Sequence, residues 1–173
     1  MYTKILRHFA LAAGSLLAAP GLIGCTSPST SSSAKASGQK KRLGVALVGL
    51  GSYAGGQLAP GLQMTEHCYL SGIVTGSPEK IPTWQERYGI PDKNVYSYDT
   101  MHEIADNPDI DVIYIVVPTG LHAKYAIRAA NTGKHVWCEK PMAMNVEECQ
   151  AIIDACNQNG VKLSIGYRMQ HEP

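Results

Sequence analysis

The sequence has 173 residues, of which 45% are hydrophobic and 17% are charged, a balance typical of one globular domain with a buried core. Its formal net charge is only +1 and it has no basic stripe, which argues against nucleic acid as a partner. The cysteines beyond residue 41 show no CxxC or Cys/His ligand spacing, so no metal site is expected.

The first 24 residues are predicted to be an export signal. Lys4 and Arg7 precede the apolar segment ALAAGSLLAAPGLIG, which is too short and too broken by glycine and proline to be a good membrane span. The segment LIGC resembles a bacterial lipobox with Cys25 as the lipidated residue; an ordinary cleaved signal is the alternative. Residues 25–41 are rich in serine and predict a flexible spacer. We therefore expect an exported protein at the periplasmic face, in contact with the membrane only through Cys25.

From residue 42 onward, apolar β-rich segments alternate with helical segments. Such alternation favours a parallel sheet covered on both faces. We expect residues 42–173 to form one α/β domain, a doubly wound and mostly parallel sheet of the Rossmann type. The predicted strands are residues 43–49, 69–76, 94–98, 111–117, 135–138 and 161–167, and the predicted helices are residues 54–64, 82–89, 100–108, 121–133 and 145–160.

A glycine turn follows the first predicted strand. Gly49, Gly51 and Ala54 give the G-x-G-x-x-A form of the dinucleotide fingerprint, between a strand and a helix. Gly49 would make the tight turn, Gly51 would let a pyrophosphate approach the backbone, and the helix N-terminus would favour the anion. A glycine turn without a ligand is the alternative, but the strand-turn-helix context indicates nucleotide binding.

The end of the second predicted strand bears on the choice of cofactor. An acid at this position usually binds the adenosine ribose of NAD, but here the strand ends in TGSPEK with no acid at its tip. The hydroxyls of Thr75 and Ser77, with the ammonium of Lys80, would suit the 2′-phosphate of NADP. A plain Gly-Ser-Pro turn with a solvated lysine is the alternative. The sequence favours NADP over NAD.

Two charged residues follow the fifth predicted strand. In HVWCEKPMA, Glu139 and Lys140 stand between an apolar strand and Pro141, which fixes the backbone. Folding does not require an acid and a base at this position, which indicates a function, although a surface lysine at a strand end is the alternative. A cis Lys140–Pro141 bond is a further hypothesis.

Together with VVPTGLHAKYAI and IGYRMQHEP, these motifs resemble the glucose–fructose oxidoreductase/inositol dehydrogenase (Gfo/Idh/MocA) family, most of all its glucose–fructose oxidoreductase branch. The resemblance covers residues 42–173 and implies three groups of cofactor-binding residues. For the pyrophosphate they are Gly49, Gly51, Ser52, Tyr53 and Ala54. For the adenosine end they are Thr75, Gly76, Ser77 and Lys80. For the nicotinamide end they are Val117, Pro118, Thr119, Leu121, His122, Glu139 and Lys140. In addition, Tyr98 matches a tyrosine near the cofactor, and Arg168 matches the arginine of the family's G-Y-R. Thr119 and Ser52 depart from the family, which often has asparagine and a basic residue there.

The resemblance also implies an activity. Lys140 would be the catalytic residue of an NADP-dependent sugar oxidoreductase, hydrogen-bonded to the sugar hydroxyl as hydride passes between a sugar carbon and nicotinamide. The family's second, substrate-binding domain, which carries much of a homo-oligomer interface, is absent from this chain. Two alternatives stay open, an NAD-dependent glycosidase of the same fold and a catalytically silent, membrane-tethered nucleotide-binding module. Lys140 favours the oxidoreductase over the glycosidase.

Overall fold

The structure is a computed structural model, and it describes residues 42–167. The predicted export signal, Cys25, the serine-rich spacer and Arg168 lie outside the described residues. Within the described part of the chain, no helix combines the length and the apolar character needed to cross a membrane.

Six parallel strands form one sheet, as the alternating pattern predicts. They lie side by side in the order β3-β2-β1-β4-β5-β6, and each neighbouring pair is parallel. The chain order reverses between β1 and β4, which is the position where such sheets bind ligands beyond their carboxyl ends. The strands are β1 (Leu43–Val48), β2 (Cys68–Val74), β3 (Val95–Tyr96), β4 (Val112–Ile115), β5 (His135–Cys138) and β6 (Leu163–Ile165).

The helices connect successive strands, and two of them differ from the prediction. The helices are α1 (Ala59–Met64), α2 (Ile81–Tyr88), α3 (His122–Ala130) and α4 (Val146–Gln158). The segment Ala54–Leu58 before α1 is π-helical, because glycines weaken the helix and Pro60 has no N–H to donate within it. The segment predicted as a helix at residues 100–108 is a 3-10 helix over Met101–Asp106.

Both faces of the sheet are covered, so the fold is doubly wound. Successive residues of β1 alternate between two cores: Val45 and Leu47 face one, and Ala46 and Val48 face the other. The first core is closed by the α1 and α2 side, and the second by α3 and α4. Because all strands run the same way, the loops that carry the predicted site residues emerge at one edge of the sheet.

Candidate functional site

The turn after β1 is built around two glycines with different surroundings. Gly49 has a φ of 98°, which favours glycine, and a Cβ there would lie 3.0 Å from the carbonyl oxygen of Val116. A Cβ on Gly51 would meet no heavy atom within 4 Å, whereas Ala54 beneath the turn is fully buried. The exposed residues of the turn are Gly51, Ser52 and Tyr53. The turn therefore has the open backbone face and close helix packing that a bound pyrophosphate requires.

The loop after β2 is attached to this turn. Lys80 is exposed, and its Nζ donates a hydrogen bond to the carbonyl oxygen of Leu50 at 3.1 Å. The Thr75 hydroxyl is buried and accepts the Ser77 N–H at 3.0 Å, so it holds the loop together. Of the three polar residues predicted to meet the adenosine phosphate, Ser77 and Lys80 are accessible and Thr75 is not.

Tyr98, after β3, is fixed beside the same loop. A Cβ on Gly76 would lie 3.0 Å from the Tyr98 ring, so the ring lies directly on the loop backbone. The Tyr98 ring also stacks on the Tyr125 ring of α3, with centroids 4.8 Å apart and planes 33° apart. Burial, and to a lesser extent Tyr125, raises the pKa of the Tyr98 hydroxyl. Tyr98 thus remains a hydrogen-bond donor at neutral pH.

His122 connects the loop after β4 to the loop after β5. It is 2% exposed; its Nε2 lies 2.8 Å from the Val117 carbonyl oxygen, and its Nδ1 lies 2.8 Å from that of Pro141. A ring nitrogen can only donate to a carbonyl oxygen, and a neutral ring has one donor. Both nitrogens therefore face the backbone, and a contact with a ribose, as the family resemblance implies, would displace one of these carbonyl groups.

Glu139 and Lys140, at the end of β5, differ sharply in their environment. Glu139 is 7% exposed, and its Oε2 accepts the backbone N–H of Lys140 at 3.2 Å. The Lys140 side chain is exposed, and among the described residues its ammonium has no hydrogen-bond partner. The Lys140–Pro141 bond is cis, as the sequence hypothesis states. A buried carboxylate therefore lies beside an ammonium that is available to a ligand.

Sequence reasoning missed Val116 and Tyr167, which line the cavity described below, and also Tyr114 and Gly166, which contact Glu139. The Tyr114 hydroxyl donates to Glu139 Oε1 at 2.6 Å, and a Cβ on Gly166 would lie 2.8 Å from the same oxygen. Burial, followed by the bond to Glu139, raises the pKa of Tyr114 far above its ordinary value, so its phenol remains a donor. Burial likewise raises the pKa of the neighbouring Cys138 thiol to about 12, which keeps this thiol uncharged.

A cavity of about 590 Å³ brings these loops together at the carboxyl edge of the sheet. Its lining residues are Tyr53, Val116, Val117, Pro118, Thr119, His122, Glu139, Lys140, Gly166 and Tyr167. A second cavity of about 360 Å³ shares Tyr53, Glu139, Gly166 and Tyr167 with the first, and Tyr114 and Trp137 line only the second. The predicted nicotinamide-end residues thus surround one cavity, apart from Leu121, which is exposed and does not line it.

The predicted adenosine-end residues and Tyr98 do not line this cavity. They lie in the loops after β2 and β3, and the bond between Lys80 and Leu50 joins them to the glycine turn. Tyr53, in the glycine turn, reaches the cavity on the other side. The described residues include no cluster of three or more His, Cys, Asp or Glu side chains able to hold a metal ion. The arrangement fits an extended dinucleotide, with one end near Lys80 and the other near Lys140.

Comparison with known proteins agrees with this geometry. Residues 43–167 match the family described as "Oxidoreductase family, NAD-binding Rossmann fold", the Gfo/Idh/MocA family. The chain belongs to this family. The resemblance stated from the sequence is therefore confirmed, as is the fold that it implies.

Relatives of this domain include several sugar oxidoreductases. In the crystal structure of aldose-aldose oxidoreductase from Caulobacter crescentus, the similar part is 48% identical, with a TM-score of 0.75, over 76% of this chain and 39% of that one. An uncharacterized oxidoreductase of Rhizobium meliloti is 32% identical over 73% of this chain and 37% of its own length. The NADP-dependent D-xylose 1-dehydrogenase of Haloarcula marismortui is 29% identical over 74% of this chain and 35% of its own. The chain thus spans less than two fifths of each relative.

Proposed function

We propose that this chain is the nucleotide-binding part of an NADP-dependent sugar oxidoreductase, which transfers hydride between a sugar carbon and nicotinamide. The observation that carries the proposal is the exposed ammonium of Lys140 in the same cavity as Tyr53 of the glycine turn and buried Glu139. The similarity to an aldose-aldose oxidoreductase at 48% identity supports a sugar as substrate.

The choice of NADP rests on the loop after β2. No acid stands at the tip of this strand, where NAD enzymes usually bind the ribose hydroxyls. Ser77 and Lys80 are accessible there, and the ammonium of Lys80 has two N–H donors left after its bond to Leu50. A hydroxyl and a fixed ammonium complement a 2′-phosphate. Similarity to an NADP-dependent xylose dehydrogenase supports the same choice.

A bound nicotinamide cofactor would supply the hydride acceptor for oxidation of the sugar carbon and the hydride donor for its reduction. Lys140 would handle the proton of the same reaction. In sugar reduction, its ammonium donates a proton to the carbonyl oxygen, and in oxidation its neutral amine takes the hydroxyl proton. Glu139, held through both carboxylate oxygens, keeps the backbone of Lys140 in place and presents an acceptor to the cavity. His122 holds the two adjoining loops at a fixed separation.

The catalytic role of Lys140 is tested by Lys140→Ala in the intact protein that carries this domain. Reduction of NADP with aldoses should fall by about 10²–10⁴-fold, the usual contribution of a general acid or base. The affinity for NADPH should stay within about threefold, because Lys140 is one contact among many. Lys162→Ala is the matched control, since Lys162 is also exposed but precedes β6 at the opposite edge of the sheet. Full activity of Lys140→Ala would show that the assignment is wrong.

The cofactor preference is tested on the chain itself by fluorescence titration with NADPH and NADH. NADPH should bind more tightly than NADH. Lys80→Ala should weaken NADPH binding about tenfold more than NADH binding, because the charge-assisted hydrogen bond to the 2′-phosphate is lost only for NADPH, whereas the bond to Leu50 is lost for both. Tighter binding of NADH, or equal losses for both nucleotides in Lys80→Ala, would contradict the preference for NADP.

We further propose that the protein is exported and tethered to the periplasmic membrane face through lipidated Cys25, and that the intact protein is a homo-oligomer. The support is the basic and apolar segment before LIGC and the serine-rich residues that follow it. Metabolic labelling with palmitate should mark the wild type and leave Cys25→Ala unlabelled and released from membranes. Equal labelling of both proteins would exclude this anchor.

A further inference from the structure

The carboxylate of Glu139 is held from two directions by different parts of the chain. Oε1 accepts the Tyr114 hydroxyl from β4 at 2.6 Å, and Oε2 accepts the Lys140 N–H at 3.2 Å. Because Glu139 is 7% exposed, water does not satisfy most of its hydrogen-bonding capacity, and these two donors fix its orientation. Tyr114 is the only side-chain donor to Glu139 among the residues that the structure describes.

Tyr114 is itself held rigidly. Residues Tyr114 and Trp137 are register partners on adjacent strands, and their rings meet edge-to-face, with centroids 5.7 Å apart and planes 86° apart. This contact sets the direction of the phenol before any ligand is present. Tyr114 lines the smaller cavity and not the larger one, whereas Glu139 lines both.

Gly166 closes the remaining side of the carboxylate. A Cβ at this position would lie 2.8 Å from Glu139 Oε1 and 3.2 Å from the Tyr114 hydroxyl, so only glycine leaves room for the pair. An ionised carboxylate can accept about four hydrogen bonds, and two are used here. Glu139 lines the larger cavity, so the unused acceptor sites are those that a ligand in that cavity can reach.

We propose that Tyr114 is a positioning residue of the nicotinamide site: its phenol orients Glu139 so that the carboxylate presents an acceptor to the nicotinamide half of the cofactor and holds the backbone of Lys140. This inference rests on the proposed function, because it takes the larger cavity as the place of the nicotinamide half. Tyr114 touches neither the cofactor nor the sugar and acts only through Glu139.

The test is Tyr114→Phe in the chain, titrated with two ligands. NADPH reports the whole site, and adenosine 2′,5′-bisphosphate, measured by calorimetry, reports its adenosine end alone. Loss of the hydrogen bond from Tyr114 to the charged Glu139 should weaken the binding of NADPH about tenfold. It should also change the fluorescence emission of the bound nicotinamide. Affinity for the bisphosphate should not change, because its binding loops do not contact Tyr114. A general loss of structure would weaken both ligands.

The matched control is Tyr88→Phe. Tyr88 also packs against the core on the α1 and α2 side, but its buried hydroxyl has no hydrogen-bond partner in the described structure. Removing it should leave both affinities unchanged. Coupling to Glu139 is tested with Glu139→Gln: the double variant with Tyr114→Phe should bind NADPH no more weakly than Glu139→Gln alone.

The outcomes separate the two proposals. If the wild type binds the bisphosphate but neither NADPH nor NADH, the proposed function is wrong, and the role proposed for Tyr114 is wrong as well. If the wild type binds NADPH and Tyr114→Phe binds it equally well, only the positioning role is overturned. Equal losses of affinity for NADPH and the bisphosphate also overturn that role, as do additive losses in the double variant. A loss of affinity for NADPH alone, which Glu139→Gln shows as well and which does not add to it, supports the role.

Discussion

The two ends of the proposed cofactor site lie at the same edge of one sheet, yet they are built differently. The adenosine side, residues 75–80 with Tyr98, presents exposed groups such as Lys80 on a short loop. The nicotinamide side, residues 116–122, 139–142 and 166–167 with Tyr114, contains the buried polar side chains His122 and Glu139. Thr75 is buried on the adenosine side as well, but the charged group there, Lys80, is exposed. Substitution of Lys80 is therefore expected to cost less stability than substitution of His122 or Glu139.

The largest effect is expected where the two sides meet, at Gly49. Gly49→Ala should lower the free energy of unfolding by about 3 kcal/mol, because it combines an unfavourable φ with a backbone clash. The clash is with the Val116 carbonyl oxygen, 3.0 Å from the new Cβ, at a φ of 98°. Urea unfolding followed by circular dichroism measures this change.

Gly51→Ala is the control for that experiment. A Cβ there meets nothing within 4 Å, so stability should change by less than about 1 kcal/mol. Binding of NADPH should nevertheless weaken, because the Cβ would occupy the open face of the turn. If Gly51→Ala destabilised the chain as much as Gly49→Ala, the different roles assigned to the two glycines would be wrong.

On the nicotinamide side, His122→Ala should lower the free energy of unfolding by about 2–3 kcal/mol through lost packing and unpaired carbonyl groups. The reason is that both ring nitrogens lie 2.8 Å from carbonyl oxygens of two loops, and the nitrogen that carries the proton donates to one of them. His102→Ala provides the comparison, because the His102 ring is exposed and contacts only the Asp99 carbonyl oxygen. The midpoints of thermal unfolding of the two variants should differ by several degrees. Equal midpoints would contradict the role of His122 in joining the two loops.

Substitution of one glycine on each side tests whether the nicotinamide side is more rigid than the adenosine side. Gly166→Ala places a Cβ 2.8 Å from Glu139 Oε1, which is held by a hydrogen bond, so about 2 kcal/mol of stability should be lost. Gly76→Ala places its Cβ 3.0 Å from the edge of the Tyr98 ring, which can shift, so less than about 1 kcal/mol should be lost. Similar losses in the two variants would remove the distinction between a rigid and an adaptable side.

The smallest effect concerns alkaline pH. The pKa of Cys138 is about 12 in the folded chain against 9.0 for an ordinary thiol, because of burial. Above pH 9 the unfolded thiol loses its proton while the folded one keeps it, so stability falls as pH rises. Between pH 8 and pH 10 this amounts to roughly 1 kcal/mol. Cys138→Ala should show a shallower decline in denaturant unfolding, and identical pH profiles would contradict the assignment.

Much of the fold follows from local sequence. The apolar segment HVWC is a strand at the predicted residues, and the glycine turn stands between a strand and a helix as its spacing indicates. The helical differences have local causes that the apolar pattern does not show, such as Gly55 and Gly56 in the turn before Pro60. The segment Met101–Asp106 is a 3-10 helix, and only Met101 and Ile104 are buried in it. It ends before Pro108, which limits its length.

Less of the candidate site than of the fold could be predicted from the sequence. E-K-P drew attention to Glu139 and Lys140, but their partners depend on pairings that no local pattern encodes. Tyr114 meets Glu139 because β4 and β5 are adjacent in a defined register, although the two positions are 25 apart in the chain. His122 could be placed near the cofactor loop, but its use of both ring nitrogens depends on the path of the next loop, which carries Pro141.

The hydrogen bond from Lys80 to the carbonyl oxygen of Leu50 has a consequence for substitutions at its two ends. Lys80 holds the glycine turn through a main-chain atom, which every amino acid supplies. Substitution of Leu50 would therefore leave this attachment intact, whereas substitution of Lys80 would remove it.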